Sequence, residues 1–175
     1  DPIGSRGLGD VYKRQNTGNA NAGTGEQGLL DATSTCSSLA SLAGVDIDAV
    51  LPFSTGVIGE LMPMEKIRAA LPDAFNNLDE SGWYEAAKGI LTTDTRPKGS
   101  SVRFGDDNPI TITGIAKGSG MIKPNMATML AYVATDASVD QELLHSALVR
   151  ANERSFNRIT VDSDTSTNDL SLIHI

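Results

Sequence analysis

Residues Lys117 to Ala134 read K-G-S-G-M-I-K-P-N-M-A-T-M-L-A-Y-V-A. A Gly-rich link braced by Pro124 runs into an apolar stretch from Thr128 to Ala134. On a strand, Leu130 and Tyr132 fall on one face and Met129, Ala131 and Val133 on the other, so the strand is buried between layers. Ala127-Thr128 stands at its mouth. A hydroxyl nucleophile behind a small residue is what a self-cleaving enzyme with an N-terminal threonine requires. Once the bond before Thr128 breaks, the freed α-amine, with a pKa of about 7.7–8.0, becomes a base beside the hydroxyl. The plainer alternative is that Thr128 only begins a core strand, where Thr is common. Local pattern leaves both readings open.

Working outward, Asn16 to Gly25 (N-T-G-N-A-N-A-G-T-G) is expected to form a loop or a chain of tight turns. Helical spacing follows in Leu29, Leu30, Ala32, Cys36, Leu39, Ala40 and Ala43, with Gly44 as the stop. Asp48 to Phe53 predicts a strand, Pro63 to Leu71 a helix opened by proline, and Ser81 to Leu91 another helix. Ser101 to Phe104 and Pro109 to Ala116 alternate around Asp106-Asp107-Asn108, as a β-hairpin does. Asp140 starts a helix carrying Leu143, Leu144, Ala147 and Leu148, and Ile159 to Val161 is a last strand candidate. Helices and strands in alternating blocks predict a layered α/β or α+β fold.

Other residues carry chemistry more weakly. Ser54-Thr55-Gly56 ends a strand, where an exposed Gly N–H beside a hydroxyl can stabilise an oxyanion; an ordinary turn would look the same. Lys117 ends one strand as Thr128 begins the next, so it could receive a substrate carboxylate or merely be solvated. Thr92-Thr93-Asp94-Thr95 offers hydroxyls after a helix, or a plain helix stop. Gly23 to Gly28 matches G-x-G-x-x-G, but without a preceding strand it is a decoy. His145 reads as a surface or packing residue. Asp162 to Asp169 is rich in carboxylates, with spacing unlike an EF-hand loop.

The two ends need separate treatment. Asp10 to Gln15 (D-V-Y-K-R-Q) can be encoded as GAT GTG TAT AAG AGA CAG, whose reverse complement translates as L-S-L-I-H-I, residues 170–175. One DNA element read in opposite orientations, resembling a transposon end used in sequencing libraries, explains both. Residues 1–15 and 170–175 are therefore expected to be non-native flanks around an internal fragment, 16–169. Without them the net charge is about −9 rather than −8. No basic stripe is present to neutralise phosphates, which disfavours nucleic acid. No apolar run approaches the roughly 20 residues of a membrane span. The single Cys36 excludes a disulfide framework and fits a reducing compartment.

Five blocks in order carry a resemblance across nearly all of residues 16–169: N-T-G-N-A-N-A-G-T-G (16–25), S-T-G-V-I-G (54–59), L-T-T-D-T (91–95), K-G-S-G-M-I-K-P-N-M-A-T-M-L (117–130) and V-D-S-D-T-S-T-N-D (161–169). Together they resemble the ornithine acetyltransferase family, the glutamate N-acetyltransferases of arginine biosynthesis. The resemblance implies a layered α/β sandwich similar to that of a self-processing aminopeptidase family. It implies autocleavage between Ala127 and Thr128, dividing the piece into α-chain residues 16–127 and the start of a β chain, 128–169. Thr128 would then take acetyl from N-acetylornithine and pass it to glutamate in a ping-pong cycle. Thr55 and Gly56 match the family's oxyanion-hole pair; Thr92, Lys117 and Thr128 match its substrate-binding positions, with Thr93 as a neighbouring candidate for Thr92. A cytoplasmic heterotetramer of two α and two β chains is implied, with no cofactor or metal, although some members also accept acetyl-CoA as co-substrate.

The chain departs from the family at Gly23, where members often carry Cys, and most of the β chain is missing. The fragment alone is therefore expected to be inactive. A related self-processing amidase or aminopeptidase is the alternative enzyme, and a small-molecule binding domain the non-enzymatic one.

Overall fold

A computed structural model describes residues 12–120, 129–159, 161 and the backbone of 170–174. The chain divides into two compact units, residues 1–82 and 83–175.

In the first unit, β1 (Tyr12–Asn19), α1 (Gly25–Ala43) and β2 (Val50–Val57) make a β-α-β crossover, followed by α2 (Met64–Asn76). The strands pair in parallel from Tyr12 opposite Val50 to Gly18 opposite Gly56. Such pairing requires a crossover, which α1 supplies. Gly44 ends α1 at φ +69° and donates its N–H to the Ala40 carbonyl, the left-handed stop the sequence predicts. Cys36, Leu39, Ala40 and Val50 form the buried cluster, flanked by Tyr12, Val45 and Phe75. Each side chain of leucine size buried there stabilises by about 1.5–3 kcal/mol.

Three expectations change in this unit. Asn16 to Asn19 is strand, not loop, because β2 satisfies its backbone and side-chain hydrogen bonds absorb the asparagines. Leu29 and Leu30, at 71% and 64% exposure, lie off the buried face of α1, whose buried side is Gly28, Asp31, Thr35, Cys36, Leu39 and Ala40. Finally, α2 continues through Pro72 to Asn76. Proline there frees the Arg68 carbonyl, but residues 68–70 are exposed and water can satisfy it.

The second unit contains α3 (Trp83–Gly89), β3 (Lys98–Phe104), β4 (Ile110–Lys117), β5 (Leu130–Thr135), α4 (Gln141–Arg154) and β6 (Leu170–His174). Its sheet runs β3-β4-β5-β6. The hairpin places Phe104 opposite Ile110, and Gly105 turns the chain at φ +93°. β4 and β5 are antiparallel, with Lys117 opposite Leu130, and β6 joins β5 in parallel. Leu130, Ala131 and Tyr132 are buried in succession, so β5 is covered on both faces as its sequence requires. β3 is exposed throughout, as an edge strand.

The Asp140 side chain opens α4 by accepting from the Glu142 and Leu143 N–H groups at 2.9 and 3.3 Å. This helix buries only Asn152 and leaves Leu143 61% exposed, so its apolar spacing is largely unpartnered among the described residues. α3 is shorter than the predicted Ser81–Leu91 helix. Ile159 and Val161 are not in a strand; a 3-10 turn at Phe156–Arg158 precedes them.

Candidate active site

In the first unit the candidate residues Thr55 and Gly56 are set by backbone geometry. Thr55 and Gly56 lie near the end of β2, opposite Thr17 and Gly18 of β1, and the register shifts immediately afterwards at Asn19. Gly56 sits at φ +131°, and a Cβ there would fall 2.3 Å from the Gly18 carbonyl carbon and 2.6 Å from the Asn19 nitrogen. No other residue fits that approach.

Asparagines latch the surroundings. Asn16 Oδ1 accepts from Ser54 Oγ at 2.7 Å, and Asn16 Nδ2 donates to the Asn19 carbonyl at 2.8 Å. Asn19 Nδ2 donates to the carbonyls of Glu60 and Leu61 at 2.9 and 3.1 Å, tying down the chain beyond β2. Asn21 holds φ +50° and donates through Nδ2 to the Gly28 carbonyl at 2.9 Å. The conspicuous Asn-Gly block thus acts as a brace for the Thr55-Gly56 backbone.

A strand does precede the G-x-G-x-x-G run, contrary to the sequence expectation. The dinucleotide reading still fails on another ground. β2 contains no Asp or Glu to receive a ribose hydroxyl, and Gly28 is packed against the Thr24 and Asn21 side chains.

The second unit builds with charged side chains. Lys117 is buried at the end of β4 and donates from Nζ to Thr92 Oγ1 at 3.3 Å. Thr93 instead pairs with Ser119, Oγ1 to Oγ at 2.6 Å. Next in sequence is Asp94, whose side chain is 0% exposed. Asp94 Oδ1 accepts from the Gly118 N–H at 2.7 Å and from Lys98 Nζ, which also donates to the Gly118 carbonyl at 3.2 Å. Burial pushes the Asp94 carboxyl up, but the Lys98 hydrogen bond, the Gly118 N–H and the charges of Lys98 and Lys117 together hold it below its ordinary range. The ionised form therefore persists below the usual pH of about 4.

Thr92 and Lys117 are thus brought together, in the second unit; Thr55 and Gly56 belong to the first. Ala127 and Thr128 lie outside the described residues, as does Asp162 to Asp169. His145 is exposed. Among the described residues no cluster of three His, Cys, Asp or Glu could hold a metal ion, and no helix is long and apolar enough to cross a membrane. Sequence reasoning weighed the hydroxyls of residues 92–95 and passed over the Asp94 carboxylate and Lys98. An Asp and a Lys four residues apart, across a helix-to-strand loop, were the available signal.

The ArgJ family profile matches residues 15–174. The chain is 58% identical over 163 residues to the arginine biosynthesis bifunctional protein ArgJ of Pseudomonas syringae, covering 93% of this chain and 40% of that protein. It is 61% identical over 155 residues to the protein of the same name from Methylococcus capsulatus, covering 88% of this chain and 38% of the relative. The chain therefore spans about 40% of the length of the curated relatives it matches. Among solved structures, ornithine acetyltransferase from Mycobacterium tuberculosis, in complex with ornithine, superposes with a TM-score of 0.60 at 35% identity, covering 63% of this chain and 60% of that one. The ArgJ structure from Bacillus halodurans gives 0.57 at 38% identity, covering 65% and 60% respectively. The likeness carries the mixed α/β fold as well as the sequence.

Proposed function

This chain belongs to the ArgJ family, and from that membership we propose that the protein it comes from transfers acetyl from N-acetylornithine to glutamate in arginine biosynthesis. The observation that carries the reading is the family match over residues 15–174, with buried Lys117, which bonds Thr92, eleven residues before Thr128 in the sequence.

The chemistry runs in two stages. Thr128 Oγ attacks the Ala127 carbonyl, the acyl group shifts from nitrogen to oxygen, and water opens the ester. This leaves a carboxylate on Ala127 and a free α-amine on Thr128. That amine then takes the hydroxyl proton as Oγ attacks the acetyl carbonyl of N-acetylornithine. Ornithine leaves with the proton on its amine, and the amine of glutamate attacks the acetyl ester to release N-acetylglutamate. Thr55 and Gly56 serve the oxyanion, while Lys117 and Thr92 receive the α-carboxylate that donor and acceptor share.

The reading extends to a cytoplasmic assembly of two α and two β chains that needs no metal or cofactor. Residues 16–127 supply part of the α chain and 128–169 the start of the β chain; residues 1–15 and 170–175 are foreign flanks. Acetyl-CoA is a further candidate acetyl donor to glutamate. A self-processing aminopeptidase, in which water accepts the acyl group, has no comparable support.

The test uses full-length protein. Thr128→Ala should remain a single chain, form no acetyl-enzyme with N-acetylornithine, and lose transfer by at least about a thousandfold, the scale of a removed nucleophile. Normal turnover by that variant would end the assignment.

A further inference from the structure

We propose that Asp94 is a positioning residue for Lys117: by clamping Gly118, it fixes the Lys117 ammonium where an amino-acid α-carboxylate docks. The assignment rests on the acetyl-transfer reading above.

A carboxylate with no exposed surface is expensive unless it is paired and hydrogen-bonded, so Asp94 is not a solvated loop residue. Its partners all bear on the residue after Lys117. Oδ1 takes the Gly118 N–H at 2.7 Å, and Lys98, held on the same oxygen, reaches the Gly118 carbonyl at 3.2 Å. Both backbone polar groups of Gly118 are thus committed to one ion pair. Gly118 is at φ +149°, so the chain departs from the β4 direction where the clamp grips it.

Register explains why this pair can do so. Lys98 starts β3 opposite Ala116, one residue before Lys117 on β4. Thr93 and Ser119 add a second strut at 2.6 Å between the same two segments. With both ends tied, the loop presents Thr92 to Lys117 Nζ.

Lys98 and Lys117 both act on the Asp94 carboxylate, and the three together carry one net positive charge. Without Asp94, the Lys98 bond to Gly118 would lose its anchor, and both lysines would lose the carboxylate on which they act.

The deciding experiment measures both half-reactions in full-length enzyme, with rates normalised to sites that can be acetylated. Asp94→Asn keeps an oxygen for the Gly118 N–H but removes the charge; Lys98→Met removes the other half of the clamp from a side chain that is 44% exposed. Both variants should raise KM for N-acetylornithine and for glutamate in parallel, Asp94→Asn by about tenfold and Lys98→Met by less, with kcat per site within about threefold. Unchanged KM values in both variants, or a loss confined to the number of sites, would overturn the role. If Asp94→Asn fails to fold, Lys98→Met alone decides. Wild-type enzyme without acetyl transfer would sink the functional reading and this assignment with it. Active wild type with unaffected variants would sink only the clamp.

Discussion

Two strand ends in this chain are built in opposite ways. At the end of β2 the candidate element is backbone: Gly56 lies so close to Gly18 that no side chain fits, and a set of Asn amides braces the turn. At the end of β4 it is a charged side chain, Lys117, beside the buried Asp94 carboxylate, its Lys98 partner and the Gly118 that both grip. A backbone site tolerates no added atom, whatever its charge. The charged site tolerates changes in shape but depends on which neighbours are ionised. Substitutions should therefore fail in different ways at the two places.

The largest effect is expected at Gly56. Gly56→Ala combines a left-handed φ with a Cβ 2.3 Å from backbone, costing about 2–5 kcal/mol in strain and overpacking. In full-length enzyme, thermal unfolding should shift down and kcat should fall by about a hundredfold or more. A variant with the wild-type melting point and kcat would break the comparison from the backbone side.

Lys117→Met should behave otherwise. An apolar side chain of similar length suits a buried position, so the melting point should hold or rise, while KM for both amino-acid substrates climbs by at least about tenfold. If kcat alone fell, Lys117 would be serving the transition state rather than the bound carboxylate.

The smallest effect concerns β1. Burial lowers Lys13 from its ordinary value to about 8. Since the unfolded chain holds that proton up to about pH 10.5, folding is penalised below the folded value and relieved as pH rises between the two. The melting point of the 175-residue chain should therefore gain from pH 8 to 10.5, and Lys13→Leu should reduce that gain. Equal slopes in the two proteins would show that Lys13 carries no such penalty.

Much of this was legible in the sequence where one residue dictates one conformation. Gly44 ends α1, Asp140 caps α4, Asp106 to Asn108 turn the hairpin, and the unbroken apolar run of β5 announces burial on both faces. Reading failed where long-range partners override local chemistry. Asn16 to Asn19 has turn composition, yet pairing with β2 makes it strand and gives its amides work across the chain. Leu29 and Leu30 keep helical spacing but stay exposed, because periodicity names a face without naming what covers it.

At the site, Thr92 and Lys117 could be proposed from motifs. For Asp94 the sequence offers only its spacing to Lys98; the shared contact with Gly118 appears once β3 and β4 pair in register.

The most direct measurement is the intact mass of the full-length protein, with the N-terminal sequence of any new chain. The account predicts two chains, the second beginning at Thr128, from a preparation that transfers acetyl between N-acetylornithine and glutamate. A single uncut chain with full transfer activity would contradict it.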